Sequence, residues 1–316
     1  MSAPPVTALP SLAEDVRDGL TRDGLKELAP KYLYDARGSE LFDRITTLPE
    51  YYPTRCERAI LNRHAPEIVA DARELVELGS GTASKTRALL YAMAGAGELQ
   101  RYVPFDCDPW VVERCAEELA ELYPGLDVHG VVGDFESDLD RIPPGEARLV
   151  ALLGGTVGNL YADERASFLR QVRELLGDGD RFVLGTDLVK DAAVLEAAYD
   201  DSEGVTAEFN RNVLHVLNRE LDADFEVDSF EHVAFFDRDR SWIEMRLRAR
   251  GEQRVSIPGA GIELLELADG EEIRTEISTK FTLEALHREM AEAGMAIERF
   301  YTDPDGLFGL SVAVPR

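Results

Sequence analysis

Cations are scarce in this chain, and lysine scarcer still. Its 316 residues include 34 lysines and arginines, only five of them lysine, against 61 aspartates and glutamates, for a formal net charge of −27. Such a surface repels phosphate backbones and anionic lipid, so nucleic acid and membranes are poor partners. Arginine in place of lysine together with excess acid reads as a signature of genome composition or salt adaptation and says little about chemistry. Cysteine is also sparse. Cys56, Cys107 and Cys115 are odd in number and lack metal or redox spacing, and the five histidines (His64, His129, His215, His232, His287) stand alone. No metal is expected, and a reducing compartment is. No apolar run is long enough to span a bilayer, and residues 1–7 have neither a charged nor an apolar leader region, so the expectation is a cytoplasmic protein. Internal repeats and low-complexity runs are absent too.

The length suits one large or two modest domains. Residues 1–10 are rich in Pro and Ala and are expected to be disordered or draped on the surface. Ser11 followed by Glu14 is a capping box opening a helix over 11–20. Residues 31–55 hold Tyr32, Tyr34, Tyr51 and Tyr52, four of the ten tyrosines, which by themselves read as ordinary core or interface rings. After an amphipathic helix at 54–72, strands at 74–78, 101–108, 127–135, 148–154 and 181–188 alternate with helical stretches, among them 109–123 and 162–176, the pattern of a parallel sheet. Past Asp191 the pattern changes. Helices at 191–201 and 205–221 lead into strands of period two at 231–236, 242–250, 263–267 and 272–279, which read as an antiparallel meander inserted as part of a second domain. A helix at 283–293 and a hairpin of 297–301 with 308–314 end the chain. The expected fold is α/β: a doubly wound, mostly parallel seven-stranded sheet formed by 56–189 plus 281–316. A second α+β domain is expected from the N-terminal segment and the insert, 1–55 plus 190–280.

The stretch 74–86, Glu-Leu-Val-Glu-Leu-Gly-Ser-Gly-Thr-Ala-Ser-Lys-Thr, joins a short apolar strand to a helical pattern beginning at Ala83 through Gly79 and Gly81. Strand, glycine turn and helix N-terminus together make a nucleotide-type site. As a dinucleotide fingerprint the loop lacks its third glycine, because Ser84 stands there, and as a phosphate loop it fails at the same residue although Lys85 and Thr86 follow correctly. A phosphate loop would also need a magnesium-holding acid after another strand, for which Asp187 is the candidate. As the first motif of S-adenosylmethionine (SAM) methyltransferases, E/D-x-G-x-G, residues 77–81 fit without exception. A turn that binds nothing is the bland alternative. Acids at the ends of the next strands weigh against it. Asp106 or Asp108 can accept both ribose hydroxyls; the two share a strand face by period, and Asp106 is favoured. Asp134 with Phe135 offers an acceptor for an adenine amine and an aromatic edge.

Over essentially the whole chain from residue 31, the sequence resembles the histidine Nα-methyltransferases of ergothioneine biosynthesis. The resemblance is carried by 31–41, 48–55, 77–86, 185–191, 209–221 with its Asn-Arg-Asn, 243–250, 275–281 and 308–313. It implies the class I methyltransferase fold and transfer of three methyl groups from SAM to the α-amine of L-histidine, giving hercynine; with no metal, nucleic acid or membrane expected from composition, a monomer is expected. By the same resemblance Gly79, Gly81, Lys85, Asp106, Asp134, Phe135 and Gly154 hold SAM. Asn159 orients the amine and carboxylate of histidine, Tyr199 donates to the carboxylate, and Tyr34 stands near the reacting nitrogen. Tyr51, Glu276 and Ser278 meet the imidazole, and Met245 lines the pocket. Tyr34 and Tyr51 thus leave the class of filler. Glu276 and Ser278 lie two apart on a strand and share a face, where a carboxylate and a hydroxyl can hold an imidazole and reject isosteres. Alternatives are a methyltransferase for another amino acid and a non-catalytic SAM-binding regulator.

Overall fold

Glu74–Leu78 is a strand with all five residues buried. A strand covered on both faces needs partners on both edges, and this one pairs in parallel with Arg101–Asp106 on one side and Arg148–Leu152 on the other. The structure, a computed structural model, describes residues 11–316 apart from 82–84 and 136; the Pro/Ala-rich start at 1–10 therefore lies outside the described residues. Arg181–Asp187 adds in parallel beyond Arg148–Leu152, and Phe308–Pro315 and Met295–Thr302 follow antiparallel. On the other flank two short pieces, Asp127–Val128 and Val131–Val132, pair with Arg101–Asp106. With those pieces counted as one, the strands lie in the order third, second, first, fourth, fifth, seventh, sixth. This is the doubly wound sheet of SAM methyltransferases.

Alternation along the strands builds a core on each face. Val76, Val103, Val150 and Phe182 pack with Phe168, Leu169 and Val172 of helix Ala162–Leu175 and Leu286 and Met290 of helix Leu283–Glu292. Leu75, Tyr102, Leu149 and Val183 pack on the other face with residues of helices Pro53–Ile68, Arg87–Ala96 and Pro109–Leu122.

Three expectations are corrected. The third strand is split, which brings the sheet to eight strands. At the break, a Cβ on Gly130 would lie 2.4 Å from Val112 Cγ1, so close packing on helix Pro109–Leu122 takes precedence over the ladder. The helix expected from Ala83 begins at Arg87. The four-stranded meander is not one sheet. Ile262–Leu267 pairs with Gln253–Ile257, an unanticipated strand, as a separate two-stranded ribbon. Gln253–Ile257 is polar in its first half and buries only Val255 and Ile257, which hides its period.

By its internal contacts the chain divides into two compact units, Met1–Tyr51 with Asp191–Ser278, and Tyr52–Lys190 with Thr279–Arg316. The second unit carries the sheet just described. In the first, a four-stranded sheet runs in the order Lys26–Glu27, Glu272–Thr279, Trp242–Ala249, Phe230–Asp237. Its helices include Leu12–Thr21, opened by the Ser11–Glu14 capping box, and Ala36–Ile45, Ala192–Tyr199 and Val205–Glu220. Among the described residues no helix is long and apolar enough to cross a membrane, and no group of three His, Cys, Asp or Glu could hold a metal ion.

Candidate active site

Strand order reverses between Glu74–Leu78 and Arg148–Leu152. The carboxyl ends of the strands beside such a reversal are where open α/β sheets take ligands. Gly79 and Gly81 leave the first strand at φ +70° and +47°, and among the described residues, their chain neighbours apart, no atom lies within 4 Å of where a Cβ on either would stand. Two left-handed residues without side chains, under open space, form a cradle that a ligand can approach to backbone distance. Gly79 N donates to the Phe105 carbonyl at 2.8 Å and Gly81 N to Asp106 Oδ2 at 3.0 Å, tying the turn to the end of the neighbouring strand. Asp106 and Asp108, inseparable by period, now differ. Asp108 is the N-cap of helix Pro109–Leu122 and accepts from Trp110 N at 2.9 Å. Asp106 is the acid that ends its strand beside the glycine turn. Asp134 follows Val131–Val132 and its N donates to Asp138 Oδ2 at 3.0 Å, while the Phe135 ring meets Phe168 edge-on at 5.6 Å.

Three buried carboxylates brace this end of the sheet. Glu77 accepts from the Thr86 and Tyr102 hydroxyls, and burial pushes its pKa up to about 7 although both hydroxyls and the Lys85 charge pull it down. Glu57, fully buried on helix Pro53–Ile68, pairs with Lys85 Nζ at 2.8 Å and accepts from Gly154 N at 2.8 and 2.9 Å. It thereby joins the turns after the first and fourth strands. A Cβ at Gly185 would lie 2.1 Å from Glu57 Oε1, so only glycine leaves room for this carboxylate. Asp187 ends the fifth strand and accepts from Tyr52 at 2.9 and 2.8 Å, from Lys190 at 2.5 Å and from Lys280 at 2.9 Å. Burial alone would raise its pKa; the two ammonium groups outweigh that and hold it below the ordinary value. With two lysines and a phenol already on it, Asp187 is not disposed to hold magnesium, and the phosphate-loop reading loses its acid. Asn159 closes the short 3-10 helix Thr156–Asn159 in the same unit and is half-buried.

The other unit carries Tyr34, Tyr51, Tyr199, Met245, Glu276 and Ser278. The Tyr34 ring stands edge-on to Phe42 at 5.4 Å and to Phe209 at 5.2 Å, and Phe42 in turn meets Tyr51 at 6.0 Å. Although 43% of Tyr34 is exposed, loss of solvent around its phenol raises the pKa well above the ordinary value, and the neighbouring Glu276, Tyr51 and Tyr199 add to this. The Tyr199 hydroxyl donates to Ser278 Oγ at 2.8 Å. Along Glu272–Thr279 exposure stops alternating at Thr275, and residues 275–278 are all buried, so the strand is covered on both faces where Glu276 and Ser278 lie. Met245 is buried, and its carbonyl lies 3.2 Å from the Thr275 hydroxyl oxygen. The structure thus groups Tyr34, Tyr51, Tyr199, Glu276 and Ser278 through rings, charge and a hydrogen bond, brings the Met245 carbonyl beside their strand, and leaves Asn159 in the unit that carries the glycine turn.

The sequence profile of a family described as histidine-specific, SAM-dependent methyltransferases matches residues 12–315. The chain belongs to this family. It is 52% identical over 310 residues to the histidine N-alpha-methyltransferase of Mycolicibacterium smegmatis, an alignment spanning 98% of this chain and 96% of that one. With the Mycobacterium tuberculosis protein of the same name the identity is 50% over 305 residues, 96% and 94% of the two chains. Ergothioneine biosynthesis protein 1 of Neurospora crassa is 30% identical over 257 residues, which make up 75% of this chain and 29% of that protein. In this histidine-specific methyltransferase, sequence reasoning missed Glu57, read only as part of an amphipathic helix, and missed the ion pairs of Asp187, weighed as the acid that the disfavoured phosphate loop would need. His232 and Asn210 were passed over as a lone histidine and as part of a matching block.

Proposed function

We propose that this chain carries out SAM-dependent trimethylation of the α-amine of L-histidine to hercynine, the first step of ergothioneine biosynthesis. The observation that carries the reading is the match to the histidine-specific family over 12–315, joined to the grouping of tyrosines, Glu276 and Ser278 in one unit. Gly79 and Gly81 would let SAM reach the backbone, Asp106 would take the ribose hydroxyls, and Asp134 and Phe135 the adenine. Lys85 and Gly154, gathered by Glu57, would meet the methionine end. When bound, SAM supplies a methyl group already activated on a sulfonium, so no metal and no strong nucleophile is required.

What falls to the chain is placement. Aligning an amine lone pair with the methyl carbon can replace roughly 7–11 kcal/mol of barrier in well-oriented systems. Asn159 and Tyr199 would fix the carboxylate and amine of histidine, and Tyr51, Glu276 and Ser278 the imidazole, with Met245 lining the pocket. Loss of solvent around the Tyr34 phenol raises its pKa above the ordinary value and favours its neutral form. The role of Tyr34 is to orient the lone pair, and its ring face attracts the growing methylammonium by roughly 0.5–2 kcal/mol. The amine then sheds its proton before or during binding, and the rate should rise with pH through the amine pKa.

The test is mass spectrometry of L-histidine incubated with the purified protein and SAM. Successive gains of one, two and three methyl groups are expected. Unchanged histidine beside retained SAM binding would remove the substrate assignment and send the search to other amino acids.

A further inference from the structure

Tyr199 is the last residue of helix Ala192–Tyr199, so its carbonyl is among the terminal acceptors that a helix leaves without an intrahelical donor. The donor comes from the sheet. His232, on strand Phe230–Asp237, places Nε2 2.8 Å from the Tyr199 oxygen. Its other ring nitrogen, Nδ1, lies 2.8 Å from the side-chain nitrogen of Asn210, a fully buried residue of helix Val205–Glu220. The orientation of that amide is set by a group with no choice of role, because its nitrogen also lies 3.0 Å from the Arg246 carbonyl, which can only accept. Its oxygen accepts from the Thr275 hydroxyl at 2.5 Å. Asn210 therefore turns an N–H toward Nδ1, Nδ1 accepts, and the ring proton sits on Nε2, where the Tyr199 carbonyl needs it. A carbonyl at each end of this chain of hydrogen bonds fixes the same tautomer. An imidazolium would set two N–H groups against each other between Nδ1 and Asn210.

The same bonds reach every element that carries a substrate residue of this unit's sheet and helix end. Tyr199 is held through its carbonyl and reaches Ser278 through its hydroxyl. Thr275 precedes Glu276 directly and also lies within hydrogen-bond distance of the Met245 carbonyl. We propose that His232 is a positioning residue for histidine binding: as the neutral Nε2–H tautomer it fixes the end of helix Ala192–Tyr199 on the sheet and so sets where the Tyr199 hydroxyl stands relative to Ser278 and Glu276. This rests on the reading of Tyr199, Glu276 and Ser278 as substrate contacts. Burial holds the His232 pKa below its ordinary value, against the opposing pull of its bond to Tyr199 and of Asp200 and Asp201 just past the helix end, with Arg211 on helix Val205–Glu220 adding to the depression. The ring thus keeps this tautomer across neutral and alkaline pH.

Three substitutions separate positioning from bulk. In His232→Gln the amide nitrogen stands near the place of Nε2 and can still donate to Tyr199; in His232→Asn the shorter amide reaches only the place of Nδ1; His232→Phe keeps the ring and loses both. His232→Gln is expected to keep KM for L-histidine within about threefold of wild type, while His232→Asn and His232→Phe raise it about tenfold, the scale of one lost hydrogen bond, with the Kd for SAM unchanged in all three. An unchanged KM in the Asn and Phe variants overturns the proposal, and so does a Gln variant as impaired as Phe or a SAM affinity that falls in parallel. A measurement on the wild-type protein stands apart from folding of the variants: 15N NMR of histidine-labelled protein should show His232 with a protonated Nε2 and a bare Nδ1, and the opposite tautomer overturns the proposal. If wild-type protein leaves L-histidine unmethylated, the substrate assignment fails, and the NMR result still decides the His232 tautomer.

Discussion

Replacing Glu77 by Gln should change how stability depends on pH, by an amount that follows from where the carboxyl sits. Glu77 is 4% exposed, under the glycine turn, and its carboxyl titrates at about 7 in the folded chain against an ordinary 4.5. A raised pKa means that the folded state binds the proton more tightly than the unfolded state. The resulting stabilisation is whole below pH 4.5 and is lost as pH rises through 7. Integrated between those limits it amounts to about 3 kcal/mol, of which about 2–3 kcal/mol falls between pH 5 and pH 8. Glutamine has no proton to exchange, so Glu77→Gln removes this dependence whatever it does to the absolute stability through the Thr86 and Tyr102 hydroxyls. Urea unfolding of both proteins at pH 5 and pH 8 gives four free energies. The advantage of wild type over variant should shrink by about 2–3 kcal/mol from the lower pH to the higher. Parallel pH dependences would show that the carboxyl is ionised at about its ordinary pKa, and the account of burial raising it would be wrong.

Asp106→Ala should abolish detectable SAM binding in calorimetric titration, whereas Asp108→Ala should leave it and cost about 1 kcal/mol of stability as a lost helix cap; equal losses of SAM affinity would reverse their assignment. Asp187→Asn leaves the Lys190 and Lys280 ammonium groups without their counter-charge, and Lys280 has a fully buried side chain. A cost of about 3–5 kcal/mol in denaturant unfolding is expected, and a change under about 1 kcal/mol would mean that the lysines find other partners or lose their protons. Glu276→Ala should raise KM for L-histidine and narrow the preference for it over amino acids of similar shape in competition assays scored by mass. A preference that survives intact would take imidazole reading away from Glu276.

How much of this was legible in the sequence depends on how far apart the partners stand. Wherever both members of an interaction lie within a few residues, the chain announces it: Ser11 with Glu14 at a helix start, Glu74–Leu78 running into Gly79 and Gly81, the alternation that sorts Leu75 from Val76 onto opposite faces. Even the ambiguity between Asp106 and Asp108 had a local answer, because Asp108 is followed by Pro109, the cap and first-position pairing of a helix N-terminus. The split third strand and the strand Gln253–Ile257 failed for the opposite reason. Gly130 yields to a side chain on a different element, and Gln253–Ile257 shows too few apolar residues to reveal a period.

The buried charges were hidden by composition as well as distance. In a chain with 61 acids, a glutamate on an amphipathic helix or an aspartate at a strand end is rightly presumed to face water. Glu57, Glu77 and Asp187 break that presumption, and what marks them is the partner each one has: Lys85 and the Gly154 amide, the Thr86 and Tyr102 hydroxyls, and Tyr52 with Lys190 and Lys280. Three of the chain's five lysines are spent on two of these carboxylates. Those three lysines were one available signal and not a general one, because the buried Glu244 pairs with Arg246 and Arg274 and the buried Glu74 with Arg148, while Lys26 and Lys31 meet the less buried Glu271 and Asp15. A compact ammonium on a flexible stem can enter a closed pocket to meet one carboxylate, where a planar guanidinium with five donors would leave hydrogen-bonding groups unpaired.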